Sequence, residues 1–415
     1  MAMQTDFRGL AISGADAETA AAIRRFQQDF LAFRDEAVAI LGIAEENPGC
    51  LIAQLYAAAM HVYSQSESDI AAAVPPLLKR ARVAARTATE RERVLLAAIS
   101  AWAASDFAAA AAIFETIAAG WPADFTSGKF AEFVFFEAPD FPRHLRFMRD
   151  MAEANADLPA FGAMLAFAHE LNRDYATAER VAEQALAQDR DTPWAQHALG
   201  HLYLNTARIE DGLRVLSAFA PCWATQGQGI RSHNYWHLAL LHLAQMDTEA
   251  ARNLYRSWIA GRLPDSAFEH TDAISLLWRL ELSGASVAQE DWAPMLPFAR
   301  ARAADRIMPF MNAHYIYLLG RAGEGDAARD ALSRLAAKRE MTTQPWVMGL
   351  PMLRGILALA EEDPREAVAA MAPVFDHLQC TGGSDAQNDL FRQSYLVALA
   401  RSGQRDETAT ILKKR

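Results

Sequence analysis

Leu165–Leu186 reads LAFAHELNRDYATAERVAEQAL, and Leu199–Phe219 reads LGHLYLNTARIEDGLRVLSAF. Each is an apolar stretch of helical period, a short polar break and a second helical stretch. Gly200 lies 34 residues after Ala166, and in each segment a second small residue follows twelve positions later, Ala178 and Gly212. Small residues at that spacing mark where two paired helices pass closest, because only Gly, Ala or Ser fits between them. Self-similarity at such a period is the signature of a repeat architecture.

The period runs outward in both directions. Ala98 lies 68 residues before Ala166, two periods, and its own pair carries Ala110, Phe114, Ile117 and Pro122. The skipped pair falls in Gly128–Ala154. Downstream, Ala239 pairs with Ala251, and further pairs fall in Asp272–Gly284, Ala313–Leu335, Leu353–Val374 and Ser394–Leu412. An earlier one begins at Leu51–Tyr63 and runs to the Pro75-Pro76 segment. Breakers sit between the helices: Ser105-Asp106, Asn172-Arg173-Asp174, Gly323-Glu324-Gly325 and Asp363-Pro364. The expected fold is all-α, a tetratricopeptide-type α-solenoid of about nine helical hairpins making roughly one superhelical turn. Residues 1–415 are expected to form one continuous superhelical domain, since no strand-like alternation and no Gly/Ser/Pro-rich linker interrupts them.

Composition agrees. At 415 residues the chain exceeds a single globular core, and 52% of it is hydrophobic. Alanine runs such as Ala108–Gly120 favour closely packed helices. The net charge is −11 and the pI about 5.5, with no basic stripe beyond Lys413, Lys414 and Arg415. That balance argues against nucleic acid and anionic membrane as partners. No stretch has the apolar length of a membrane span. Cys50, Cys222 and Cys380 are scattered and odd in number, which fits a reducing compartment and no thiolate zinc site. Without a signal-peptide pattern at the start, the expected location is the cytoplasm.

In a solenoid of this kind the first helix of each pair lines the concave face, through its second, fifth, ninth, twelfth and thirteenth positions. The register places Trp194, His197, His201, Leu204 and Asn205 there, and on the next such helix His233 and Trp236 with His237 beside them. Phe167, His169 and Glu170 lie on the helix before; His270, Thr271 and Asp272 begin the one after, followed by Asn312 and His314. His197/His201 and His233/His237 both have i,i+4 spacing, so each pair stacks on one helix face. Four of the 11 histidines thus converge, flanked by Trp194 and Trp236.

Three readings follow. The histidines are buried and structural, and the chain is a protein–protein scaffold. Or they form a polar site for a small molecule or short peptide in the concave interior, lined by Trp194, His197, His201, His233, Trp236, His237, Asp272 and His314. Or His197, His201, His233 and His237 bind a divalent metal, since HxxxH on a helix suits such ions. An enzyme would use the same cluster with Asp272 for metal-dependent or general acid/base chemistry. Against metal stands the absence of HExxH and of carboxylates at ligand spacing; Asp272 or Glu170 would have to approach from another helix. The concave positions lack the Lys, Arg and Asn of an electrostatic clamp for acidic peptide ends. The Trp102, Phe107, Phe114 and Trp121 stripe and the Phe133–Pro142 segment read as core. Asp385, Gln387 and Asn388 read as helix-capping groups.

The stretches His197–His201 (HALGH), His233–Leu243 (HNYWHLALLHL), Asp272–Leu282, Pro297–His314, Gly349–Leu359 and Gly382–Gln393 (GGSDAQNDLFRQ) resemble, in order, the tetratricopeptide repeat protein 38 family. The similarity spans roughly residues 150 to 400. It implies the helical-repeat fold and assigns no biochemical role. One departure concerns Asn312, a position commonly acidic in the family pattern. Were that acid a ligand or base, the amide here would weaken the case for metal or proton transfer.

Overall fold

The computed structural model describes residues 3–260, 266–337 and 343–413; Lys414 and Arg415 of the basic C-terminus lie outside them. The described chain is helical throughout, apart from a small antiparallel ribbon of Gln4–Thr5 with Ala11–Ile12 that the sequence reading lacked. Asp6 closes that ribbon, its carboxylate accepting from the Arg8 and Leu10 amides at 2.9 Å. No described helix is long and apolar enough to cross a membrane. The three cysteines are free. The chain divides into two compact units, Met1–Leu238 and Ala239–Arg415.

One turn recurs along the sequence and explains how successive helices connect. A helix ends on a residue in the left-handed region, and the next amide bonds back to the carbonyl five residues earlier. Asp106 N–H donates to Ala101 C=O at 2.9 Å, Asp174 to His169 at 3.0 Å, Asp247 to His242 at 2.9 Å and Asp363 to Ala358 at 2.8 Å. This is the Schellman closure, which satisfies carbonyls that the helix end leaves open. The same aspartates then cap the following helices, accepting from the Ala109, Thr177, Ala250 and Glu366 amides. Left-handed residues follow helix ends at Phe33, Gln65 and Ser105 and then at Arg173, Ala207, Met246, Gly284, Gly323, Glu362 and Gly403, 34 apart from Arg173 to Ala207 and 38–41 apart thereafter. All four breaker segments named from the sequence fall at these turns. At Pro139-Asp140 the back-bond persists, at 3.2 Å to Phe135, although proline cannot take a positive φ.

In the first unit, helices Phe125–Glu137, Phe141–Asp150, Pro159–Leu171, Tyr175–Gln188, Pro193–Asn205 and Ile209–Trp223 run in this order, the short Ala152–Asn155 helix aside, and each packs on the next. The small residues Ala98, Ala110, Ala166 and Ala178 are at most 1% exposed, as close helix approach requires. Trp102 and Phe114 are fully buried core, whereas Phe107 and Trp121 are only half-buried. Those two stand at a helix start and a helix C-cap, where one side faces outward. The Phe133–Pro142 segment buries Phe133, Val134 and Phe135, and with them Glu137. The Glu137 carboxylate accepts from Trp102 Nε1 and Gln65 Nε2, both at 2.7 Å, and burial pushes it up to about 7.

In the second unit, helix Asp385–Arg401 opens with a capping box in which Ser384 Oγ accepts from the Gln387 amide and Gln387 Oε1 accepts from the Ser384 amide. Asn388 Nδ2 donates to Gly383 C=O at 3.0 Å. The capping reading of this segment holds for Gln387, with Ser384 as the residue at the cap itself.

The turn geometry sets the sign of a substitution. Gly323 has φ +76° and Gly42 lies in a helix, and an added Cβ meets nothing within 4 Å at either. Gly323→Ala should lower stability by about 1–2 kcal/mol through backbone strain alone. Gly42→Ala should raise it by about 0.5–1 kcal/mol. Thermal denaturation of the two variants checks both signs.

Candidate metal centre in the first unit

The site is built from two helices. Pro193–Asn205 starts with proline at its first turn, where the missing N–H is unneeded and φ is preset. Gln228–Ala244 is held at its start by the N-terminal region: Gly227 N–H donates to Phe33 C=O at 3.1 Å, and Gln228 N–H to Asp35 Oδ1 at 2.9 Å. A Cβ at Gly227 would lie 2.1 Å from that carbonyl, so only glycine allows the approach. The two helices then meet at Gly200, whose absent Cβ would sit 3.2 Å from both Cβ and Cγ of His237.

That contact brings the two histidine pairs together. His197 and His201 face each other Nε2 to Nε2 at 3.0 Å, and His233 and His237 do the same at 3.3 Å. Between helices, ring centroids lie 4.5 Å apart for His201–His237, 4.9 Å for His197–His233 and 5.0 Å for His197–His237. One nitrogen from each of the four lies within 4.8 Å of the others, an arrangement able to hold a metal ion. A tetrahedral ion with metal–nitrogen bonds near 2.0–2.1 Å needs nitrogens roughly 3.3 Å apart, which both in-helix pairs nearly satisfy. His197, His201 and His237 are buried, and His233 is half-buried. The register had placed His237 one step off the lining positions, yet it is as central as the others.

Aromatic rings enclose the cluster. Trp194 stacks on His197 at 4.1 Å and 21°, and Trp236 on His233 at 5.3 Å and 9°. Phe33 stacks on Trp194 at 4.8 Å, and Phe167 packs on both His197 and His201. Burial holds His197 and His201 well below the usual histidine range, and neighbouring imidazoles push the same way; Lys129 adds to the effect at His197. The two imidazoles are therefore neutral at neutral pH and offer lone pairs. His197 Nδ1 and His201 Nδ1 are buried without a hydrogen bond among the described residues.

Residues invisible to the sequence reading surround this core. Lys129 and Glu132 form a buried ion pair, and Trp194 Nε1 donates to Glu132 at 3.1 Å. The Lys129 ammonium lies 4.0 Å from the Trp194 ring centroid, 4.5 Å from Phe33 and 5.1 Å from Phe133. Burial favours the uncharged forms of both partners, while their mutual contact opposes it. The available signal was a Lys and a Glu, i,i+3, inside the otherwise apolar Gly128–Phe136 run.

Glu170, raised from the sequence as a ligand from a third helix, instead reaches the far side of a ring: its Oε2 lies 3.6 Å from His201 Nδ1. Asp272 and His314 belong to the second unit. Asp272 is buried on Ala267–Leu282. His314 donates from Nδ1 to Phe310 C=O at 2.8 Å, one turn back on its own helix, and burial lowers it to about 3. Asn312 likewise serves the backbone, donating to the Ala303 and Asp305 carbonyls at 2.9 and 2.8 Å. His270 pairs with the Tyr315 hydroxyl at 3.1 Å, and His169 Nδ1 with the capping Asp174 at 2.9 Å. No protein-family model matches the chain.

The buried neutral imidazoles fix a pH dependence. Histidine unfolded has a value near 6.5, and the folded values of His197 and His201 are lower, so below about pH 6.5 the unfolded chain binds more protons. Their contribution is complete above that pH and is lost on acidification. Metal-free protein taken from pH 7.5 to 5.5 should lose about 1 kcal/mol per buried imidazole. The His197→Gln/His201→Gln double variant should show a shallower slope in denaturant titrations across the same range.

Proposed function

We propose that this protein binds a divalent transition-metal ion through His197, His201, His233 and His237. The observation that carries the reading is the meeting of two i,i+4 histidine pairs with their nitrogens inside 4.8 Å. An all-imidazole donor set suits Zn²⁺, Co²⁺, Ni²⁺ or Cu²⁺ and does not suit Mg²⁺ or Ca²⁺, which take oxygen ligands. Four protein nitrogens complete a tetrahedron, which is the pattern of a structural or regulatory ion; catalytic zinc sites keep a position for water. Metal binding is therefore favoured here over the enzyme reading. It is also favoured over a small molecule or peptide gripped by Trp194 and Trp236, because both rings already stack on the histidines.

The scaffold carrying the site is, in this proposal, a tetratricopeptide-type repeat of the kind the resemblance to the tetratricopeptide repeat protein 38 family implies. The turn spacing of 34 to 41 residues and the buried small residues support it. A cytoplasmic location, with no nucleic-acid partner, belongs to the same proposal and rests on the net charge of −11 and the three free cysteines.

Chelator-treated protein, dialysed against Zn²⁺ and then metal-free buffer, should retain about one equivalent by elemental analysis. With free Zn²⁺ at a thousandfold excess over Kd, the melting temperature should rise, reflecting about 4 kcal/mol of added stability. His201→Gln and His233→Gln should each lose the retained ion while the metal-free forms melt near the parent. Retention of a full equivalent by the combined His201→Gln/His233→Gln variant would overturn the proposal.

A further inference from the structure

Resting on that four-histidine reading, we propose that Glu170 is a positioning residue of the metal centre, the carboxylate that fixes which nitrogen His201 turns toward the ion. Glu170 lies on Pro159–Leu171, a third helix that supplies none of the four ligands but packs directly against Pro193–Asn205. One turn earlier, Phe167 of the same helix covers His197 and His201. Glu170 is 2% exposed. Its Oε1 accepts from Asn205 Nδ2 at 2.6 Å, and that bond aims Oε2 at His201 Nδ1, 3.6 Å away. Asn205 is one turn beyond His201 on the ligand helix, so the carboxylate is clamped by the same element it serves.

The chemistry follows from imidazole having two nitrogens. A histidine that binds metal through Nε2 must carry its proton on Nδ1, and an acceptor there selects that tautomer, orients the ring and raises its donor strength. Glu170 Oε2 is placed as that acceptor, and a small closure from 3.6 Å would complete the hydrogen bond. At the present distance His201 Nδ1, like His197 Nδ1, is buried with no hydrogen bond among the described residues. The carboxylate also sets a negative charge beside a buried centre that would gain two positive charges on loading, at a separation where low dielectric keeps the attraction strong.

Co²⁺ is the probe, because its visible ligand-field absorption reports coordination geometry directly. The full chain, freed of metal, is titrated with CoCl₂ in competition with a chromophoric chelator, alongside Glu170→Gln, Glu170→Asp and Asn205→Ala. Glu170→Gln should weaken Co²⁺ binding about 10–100-fold and alter the ligand-field spectrum, with the metal-free form melting near the parent. Glu170→Asp should restore part of the affinity, and Asn205→Ala, which frees the carboxylate from its clamp, should weaken binding in the same direction. Should Glu170→Gln not fold, Asn205→Ala carries the comparison. Parental affinity and an unchanged spectrum in the folded Glu170→Gln or Asn205→Ala variant would overturn the role of Glu170 alone. Failure of the parent to bind Co²⁺ at all would overturn the four-histidine reading itself.

Discussion

At Gly200 two helices come so close that a single methyl group would touch the His237 side chain at both Cβ and Cγ. The site geometry depends on that contact. His201 stands one residue beyond Gly200 and His197 three before it, so the close approach carries both rings across to His233 and His237. A larger residue would separate the helices, and imidazoles whose centroids now lie 4.5–5.0 Å apart would no longer share one point in space. Packed interiors do not stretch to absorb such a change, because their density is that of a molecular crystal.

The second constraint is electrostatic. This region of the first unit buries two neutral imidazoles, a Lys–Glu pair and the Glu170 carboxylate in little volume. Buried polar groups are tolerated when paired and are destabilising when not. Here the pairing is only partial: Glu132 holds Lys129 and Trp194, while Nδ1 of His197 and of His201 has no hydrogen bond among the described residues. His197 and His201, neutral and short of donors, therefore have lone pairs available. An ion at its centre would use what burial otherwise leaves unused, and binding free energy would add to folding free energy. The same logic separates these histidines from His169 and His270, each of which has an acceptor or hydroxyl on one nitrogen.

Much of this was legible in one dimension. Helical period, small residues and breaker positions set the helices and turns, and every breaker segment named is a turn. The i,i+4 spacings of His197/His201 and His233/His237 required each pair to share a helix face, since 3.6 residues complete a turn. What one-dimensional reading lacked was rotation of one helix about its axis relative to its neighbour. Hence the register set His237 beside the lining positions, whereas its ring packs directly against those of His197 and His201.

The linear pattern thus determined that these helices form, where they end and which histidines pair within each. Tertiary structure alone decided what lies behind each ring. Glu170, a ligand candidate from the sequence, sits on the far side of His201; Lys129 and Glu132, which spacing does not single out, are a buried pair under Trp194; within the second unit His314 and Asn312 hydrogen-bond backbone carbonyls. The reason is physical. Helix formation is governed by neighbours within one turn, which sequence spacing encodes. The second nitrogen of an imidazole takes its partner from another helix, at a distance that only side-chain packing sets.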